Sequence, residues 1–152
     1  MLLLDIDHFK EVNDTYGHPC GDLVLKNLAG LLKRCLRSTD LAARYGGDEL
    51  AIILPETNKS KASEVAEKLR RQLEKSSFAW NGDSFGITCS IGVAAVPEVG
   101  IDNWNSLLES ADKSLYQAKG EGRNHVIAFN SYKRQAVPKN GQSRRQQVLS
   151  VH

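Results

Sequence analysis

The sequence is poor in the features that mark secreted and membrane proteins. Its 152 residues include only three cysteines, Cys20, Cys35 and Cys89, which are widely spaced and odd in number. They give neither a CxxC metal pair nor a disulfide framework, so we expect reduced thiols and a cytoplasmic protein. No apolar run is long enough to span a membrane, and Asp5 follows the opening Met-Leu-Leu-Leu too soon for a signal peptide. We therefore expect no membrane association of this chain.

Acidic residues are missing from residue 130 onward, whereas five basic residues stand there, namely Lys133, Arg134, Lys139, Arg144 and Arg145. The other 15 basic residues share residues 1–129 with all 18 acidic ones, so this body carries a formal charge of −3. A basic surface for nucleic acid is therefore not expected on the body. We interpret 130–152 as a basic, disordered tail. Tyr132 alone offers an aromatic ring for stacking on a single strand, so we do not expect the tail to bind nucleic acid.

Apolar periodicity predicts one domain over residues 1–129, built from alternating strands and helices. Asn81-Gly82 predicts a tight hairpin turn, and Gly46-Gly47 a second one in which glycine supplies the positive φ. Adjacent hairpins indicate a mixed, largely antiparallel central sheet flanked by helices, which is the α+β class. The predicted strands are 2–6, 41–45, 50–54, 78–80, 85–96 and 124–129. The predicted helices are 8–13 (with Asp7 as a possible N-cap), 22–37, 60–75 and 104–118.

Two groups of acidic residues stand at the ends of predicted strands. Asp48 and Glu49 occupy a hairpin tip, where the simplest interpretation is that they are turn-compatible polar residues. Asp5 and Asp7 lie at the end of the first strand and point to one face if the strand continues. If the strand and hairpin are neighbours, Asp5 faces Asp48, and the clustered carboxylates favour a hard divalent ion such as Mg²⁺. Such a site serves phosphoryl or nucleotidyl transfer.

Four blocks of the sequence carry a family resemblance in order and spacing. Arg44-Tyr45-Gly46-Gly47-Asp48-Glu49-Leu50 resembles the signature of the GGDEF-domain diguanylate cyclases. The other blocks lie within residues 5–22, 90–94 and 111–124, so the resemblance covers roughly 2–129. It departs from the signature at Leu50, where the family has Phe, a change of similar bulk that preserves packing.

The resemblance implies a sheet flanked by helices, akin to the palm of nucleotide polymerases and adenylyl cyclases. It implies an Mg²⁺-dependent enzyme, with Mn²⁺ as a possible substitute, that condenses two GTP into cyclic di-GMP and two pyrophosphates. Because each domain holds one GTP, a homodimer is implied. Family members usually carry a further helix before the first strand, so this chain is expected to be an N-terminally truncated catalytic domain.

The resemblance also implies roles for individual residues. The implied metal site consists of Asp5, the Ile6 carbonyl, Asp48 and Glu49, and the implied catalytic residues are Asp48, Glu49 and Lys10. Guanine is expected at Asn13 and Asp22 with His18 near the base, and the phosphates at Lys10, Lys119 and Arg123.

Each of these residues also has a structural interpretation. Asn13 suits a helix end beside Gly17, and Asp22 suits the N-cap of the long helix. Lys119 and Arg123 near a helix C-terminus are favourable on dipole grounds alone. His18 is equally a structural turn residue.

The four residues Arg37-Ser38-Thr39-Asp40 resemble the family's inhibitory site for its own product, with Lys68 as an accessory cation. Arginine bonds guanine or phosphate in a bidentate way, although a helix-end Arg and a turn Asp explain the same pattern. An alternative function follows, namely a catalytically weak or inactive domain that binds cyclic di-GMP or GTP.

Overall fold

The computed structural model describes residues 1–131, which contain seven strands and four helices. The strands are Leu2–Ile6 (β1), Leu41–Arg44 (β2), Glu49–Ile53 (β3), Ser77–Trp80 (β4), Asp83–Gly86 (β5), Cys89–Val93 (β6) and Val126–Ala128 (β7). The helices are Phe9–Tyr16 (α1), His18–Cys35 (α2), Lys59–Glu74 (α3) and Trp104–Gly120 (α4).

Five strands form the main sheet in the order β2-β3-β1-β6-β7. The pair β6 and β7 is parallel, and the other neighbours pair antiparallel. Strands β4 and β5 form a separate two-stranded hairpin. The structure therefore confirms the α+β class with a mixed, largely antiparallel sheet.

The central strand β1 is buried on both faces, as its run of three leucines indicates. Side chains alternate across a strand. Leu2 and Leu4 accordingly belong to the larger core cluster, which includes residues of α1, α2 and α3. Leu3 belongs to the second cluster, which includes residues of α4. Because core side chains pack against both faces of β1, the end of this strand at Asp5 is fixed in position.

Helix α4 lies directly against β6 because Gly92 has no side chain. A Cβ on Gly92 would stand 2.1 Å from the carbonyl oxygen of Ala111 and 2.4 Å from the backbone nitrogen of Leu115. Real Cβ atoms are not found that near to backbone, so no larger residue fits without moving the helix. This contact sets the position of Lys119 in the last turn of α4.

Two expectations about the helices were wrong. The long helix begins at His18 rather than at residue 22, because Gly17 (φ 82) separates it from α1 and Pro19 occupies its first turn. The N-cap of α1 is His8 (φ 58), and no side chain caps that helix. Asp7 is not a cap, because its carboxylate bonds elsewhere in the sheet.

The hairpin predictions had mixed outcomes. Asn81 (φ 50) and Gly82 (φ 94) form the predicted tight turn. The predicted strand 85–96 is instead two strands that belong to different sheets, because the Asp7 N–H bonds the Thr88 carbonyl oxygen at 3.0 Å where the chain enters the main sheet. Neither Gly46 nor Gly47 has a positive φ, so that expectation was wrong. A Cβ on Gly46 would stand 3.0 Å from Glu49 Oε2, so the end of that side chain would shift by a few tenths of an ångström.

Within residues 1–131, no helix has the length and apolar character that crossing a bilayer requires. The expectation of a disordered tail concerns residues 130–152, of which 132–152 lie outside the described residues.

Candidate active site

The two carboxylate-bearing segments meet in the main sheet. Strands β1 and β3 pair antiparallel, as expected, but the cross-strand partner of Asp5 is Glu49 rather than the expected Asp48. The Ile6 N–H donates to the Asp48 carbonyl oxygen at 3.4 Å, which places the hairpin tip beside the end of β1. Asp5 is 7% exposed, whereas Asp48 and Glu49 are half-buried. Three carboxylates thus lie near one another where the end of β1 meets the start of β3.

One cation enters this carboxylate cluster. Lys119 Nζ lies 2.7 Å from Asp5 Oδ2, and the lysine comes from the last turn of α4. Burial raises the pKa of Asp5 above its ordinary value, and Asp48 and Glu49 raise it further, while the Lys119 ammonium acts in the opposite direction. The cluster is therefore short of positive charge.

The hairpin tip is held by Arg44, which the sequence reasoning did not single out. Its Nε and Nη2 both donate to the Gly47 carbonyl oxygen, at 2.9 and 2.6 Å. The Tyr45 N–H closes the hairpin by donating to the Glu49 carbonyl oxygen at 2.8 Å. These bonds fix the backbone on both sides of Asp48.

The residues predicted to read guanine lie on α1 and α2. Asn13 is half-buried on α1, whereas His18 and Asp22 are exposed on α2 and Lys10 is exposed on α1. A Cβ on Gly21 would stand 2.1 Å from Asn13 Oδ1, so this glycine makes room for the amide. Asp22 lies inside the helix that begins at His18, which rules out the N-cap interpretation.

The loop after α4 carries Arg123, which is exposed and has a φ of 65°. Its N–H donates to the Ala118 carbonyl oxygen at 3.1 Å, and the next N–H, that of Asn124, donates to Asp7 Oδ2 at 3.0 Å. Asp7 thus links this loop to the end of β1. The sequence analysis groups Asp7 with Asp5 by spacing but assigns it no role of its own, and its bonds to Asn124, Thr88 and Ser90 were not expected.

Arg37 and Asp40 lie together after α2. The Arg37 N–H donates to Asp40 Oδ2 at 2.8 Å, and the Asp40 N–H donates to the Arg37 carbonyl oxygen at 3.1 Å. Both residues line a pocket of ≈660 Å³ between α2 and β2. Lys68 lines a different groove on α3, so the structure does not bring it into that pocket.

The donor set fits a hard divalent ion. Asp5 and Asp48 would supply carboxylate oxygens and Ile6 a backbone carbonyl, all of which are oxygen donors of the kind that Mg²⁺ prefers. In residues 1–131 no three His, Cys, Asp or Glu side chains form a ready-made metal site. Mg²⁺ is commonly held by one or two carboxylates with substrate phosphates completing its shell, so two carboxylates are sufficient.

Comparison with solved structures supports this architecture. The chain resembles the GGDEF domain of DgcB from Caulobacter crescentus, solved in complex with c-di-GMP, with 36% identity, a TM-score of 0.79 and coverage of 86% of this chain and 77% of that one. It also resembles the active GGEEF domain of a diguanylate cyclase from Vibrio cholerae, with 31% identity, a TM-score of 0.79 and coverage of 86% and 81%.

Sequence comparison identifies proteins that are similar over most of this chain. Diguanylate cyclase A of Treponema denticola is 44% identical over 126 residues, which are 83% of this chain and 34% of that protein. The response regulator PleD of Caulobacter vibrioides is 44% identical over 128 residues, 83% of this chain and 28% of that protein. The chain thus spans about a third of the length of these relatives. The family model described as "Diguanylate cyclase, GGDEF domain" matches residues 1–125, and the chain belongs to this family.

Proposed function

We propose that this domain is a diguanylate cyclase that condenses two GTP into cyclic di-GMP and releases two pyrophosphates. The observation that carries the proposal is the carboxylate cluster of Asp5, Asp48 and Glu49, with Lys119 as its counter-ion. A buried carboxylate whose pKa is raised by burial and by two neighbouring acids favours a cation beside it. Nucleotidyl transfer from a triphosphate to a hydroxyl, with pyrophosphate leaving, is the chemistry that a metal ion at such a site supports.

The divalent ion, Mg²⁺ or Mn²⁺, would be held by Asp5, the Ile6 carbonyl and Asp48, with Glu49 adjacent. When bound, this ion would neutralise the negative charge that develops on the phosphates. Asp48 or Glu49 accepts the proton of the attacking 3′-hydroxyl. Each 3′-oxygen forms a bond to the α-phosphorus of the other GTP as the bond to pyrophosphate breaks.

The remaining predicted residues bind and orient GTP. Asn13 and Asp22 together present an amide and a carboxylate on the adjoining surfaces of α1 and α2, which suits the donors and acceptors of guanine. His18 is exposed at the start of α2, and in this proposal it lies beside the base. Lys10, Lys119 and Arg123 supply cations for the triphosphate from α1, α4 and the loop that follows α4.

Two domains must face each other, since each holds one of the two nucleotides that react. The product then offers phosphates and guanines to Arg37 and Asp40, which line one pocket. We propose that cyclic di-GMP bound there inhibits the enzyme. Lys68 would act only as an accessory cation, from its separate position on α3.

The proposal is tested by incubating the protein at high concentration with GTP and Mg²⁺ and separating the products by ion-exchange chromatography. We expect cyclic di-GMP and pyrophosphate from the unaltered chain. Asp48→Asn keeps the size of the side chain and should abolish both products. Asp83→Asn, at an exposed position of β5, is the matched control and should leave turnover unchanged.

Unchanged GTP, even after fusion to a dimerising coiled coil, would contradict the proposal. Binding of cyclic di-GMP should then be measured by calorimetry. Binding that is lost in Arg37→Ala, without turnover under any condition, would establish the alternative in which the domain is a binding module.

A further inference from the structure

Asp7 is a buried carboxylate that joins three separate parts of the chain. It is 4% exposed and lies just after β1. Its Oδ2 accepts from Thr88 Oγ1 at 2.6 Å and from the Asn124 N–H at 3.0 Å, and its Oδ1 accepts from Ser90 Oγ at 2.7 Å. A carboxylate only accepts, so it satisfies three donors at once, whereas an amide in the same place offers one neutral accepting oxygen and a donating nitrogen.

The loop that Asp7 holds has an uncommon backbone conformation. Arg123 (φ 65) and Asn124 (φ 49) are consecutive non-glycine residues in the left-handed region. Such residues persist only where surrounding bonds hold them. The Asn124 N–H to Asp7 is one such bond, and it lies immediately after the residue predicted to contact phosphate.

A second anchor holds the same loop from α3. Arg70 Nη1 donates to Asn124 Oδ1 at 2.7 Å, and Asn124 Nδ2 donates to Glu74 Oε1 at 2.6 Å. Arg70 is itself fixed by Glu67, whose oxygens accept from its Nε and Nη2 at 3.0 and 2.9 Å. The loop is therefore clamped between the end of β1 and the face of α3.

Asp7 also fixes the segment between β1 and α1, which precedes Lys10, another residue predicted to contact phosphate. Its own N–H donates to the Thr88 carbonyl oxygen at 3.0 Å, which sets the start of the loop between β1 and α1. The next residue, His8, has a φ of 58° and begins the turn into α1, which carries Lys10. One residue thus connects the two segments that bring Lys10 and Arg123 to the triphosphate.

We propose that Asp7 is a positioning residue that holds Arg123 in place to receive the phosphates of GTP. The inference rests on the proposed function for its nucleotide, but the anchor itself is a property of the protein alone. Asp7 does not contact the substrate; it acts through the backbone of residues 123 and 124.

The anchor is tested first without nucleotide, by amide hydrogen exchange in NMR spectra. In Asp7→Asn we expect exchange of the Asn124 amide to rise about tenfold, since the charged acceptor is replaced by a neutral amide oxygen that accepts a weaker bond. The Ala94 amide, which donates to the Met1 carbonyl oxygen, should keep its rate and serves as the internal control. An unchanged rate at Asn124 would overturn the anchor.

Two variants of Thr88 test the same anchor if Asp7→Asn does not fold. Thr88→Val removes the hydroxyl with little change of shape, whereas Thr88→Ser retains it. We expect faster exchange at Asn124 in Thr88→Val and the original rate in Thr88→Ser. Equal rates in the two variants would show that the Thr88 hydroxyl does not support the anchor, and would contradict the proposal.

The positioning role is tested by GTP binding in a double-mutant cycle. Arg123→Ala and Asp7→Asn should each weaken binding about tenfold, and Asp7→Asn should add little once Arg123 is absent, because it acts through that side chain. The same loss in both backgrounds would mean a merely structural role. If the unaltered chain binds no GTP, the proposed function fails and the role of Arg123 with it, while the exchange result still decides the anchor.

Discussion

The Lys119 ammonium bonds the Asp5 carboxylate at 2.7 Å, which joins the last turn of α4 to the central strand. Both residues had been predicted as parts of a nucleotide site, one for the phosphates and one for the metal. If both predictions hold, the phosphate contact and the metal ligand are joined by one ion pair. Burial raises the pKa of Asp5 and the lysine charge lowers it, and the balance of these two effects can be measured.

Asp5→Asn should raise the thermal unfolding midpoint by a few degrees in metal-free buffer. Burial is the largest influence on this carboxyl, so an amide avoids a desolvation cost that Lys119 only partly offsets. Mg²⁺ with GTP should stabilise the unaltered chain and not the variant. Calorimetry checks both points, with Asp83→Asn as the exposed control. A fall in the midpoint would mean that the Lys119 ion pair outweighs the desolvation.

Gly21→Ala should weaken GTP binding about tenfold or more, because the added Cβ would stand 2.1 Å from Asn13 Oδ1 and displace the amide predicted to read guanine. ATP, which lacks the guanine groups, should bind the variant and the unaltered chain alike. Gly30→Ala on the same helix is the control, since its Cβ would stand 3.5 Å from the nearest atom, Arg34 Nη1. It should stabilise the protein by up to about 1 kcal/mol. Equal loss of GTP and ATP binding in Gly21→Ala would remove the guanine role from Asn13.

The parts of the fold that follow from local pattern were predictable. The apolar run of β1, the Asn81-Gly82 turn and the apolar stripe of α3 each depend on neighbouring residues, and each is in the structure. The break between β5 and β6 was missed because Phe85 and Cys89 are both apolar. Only pairing with distant strands distinguishes the sheet to which each segment belongs.

The site was predictable where one motif carries it and not where distant residues meet. Asp48 and Glu49 are adjacent in sequence, and their position at a hairpin beside β1 was expected. The partners of Asp7 lie 81 to 117 residues away, so no local rule indicates its bonds to Thr88, Ser90 and Asn124. The role of Gly21 depends likewise on how two helices pack.

Glu67 should make the stability of the domain depend on pH in acid. Bonds from Arg70, and secondarily from Arg71, lower the pKa of Glu67 from 4.5 to about 2. The folded state therefore holds the carboxylate charged where the unfolded chain binds a proton. This contribution is complete above pH 4.5 and is lost as the pH falls toward 2.

The measurement is the urea midpoint between pH 6 and pH 2 for Glu67→Gln and the unaltered chain. The variant should show a shallower decline below pH 4.5, the ordinary pKa of this residue. Glu64→Gln, an exposed position of the same helix, should follow the unaltered curve. Parallel curves for Glu67→Gln and the unaltered chain would exclude Glu67 as a source of acid sensitivity.

Arg37→Ala and Asp40→Ala should both abolish inhibition by cyclic di-GMP, but only one should affect folding. Asp40 Oδ2 accepts from the backbone N–H of Arg37, so Asp40→Ala loses a turn bond and about 1 kcal/mol of stability. Arg37→Ala retains that backbone donor and loses only the guanidinium. Steady-state rates with added product and thermal unfolding midpoints separate the two effects. Inhibition that persists in Arg37→Ala at an unchanged midpoint would move the product site away from this pocket.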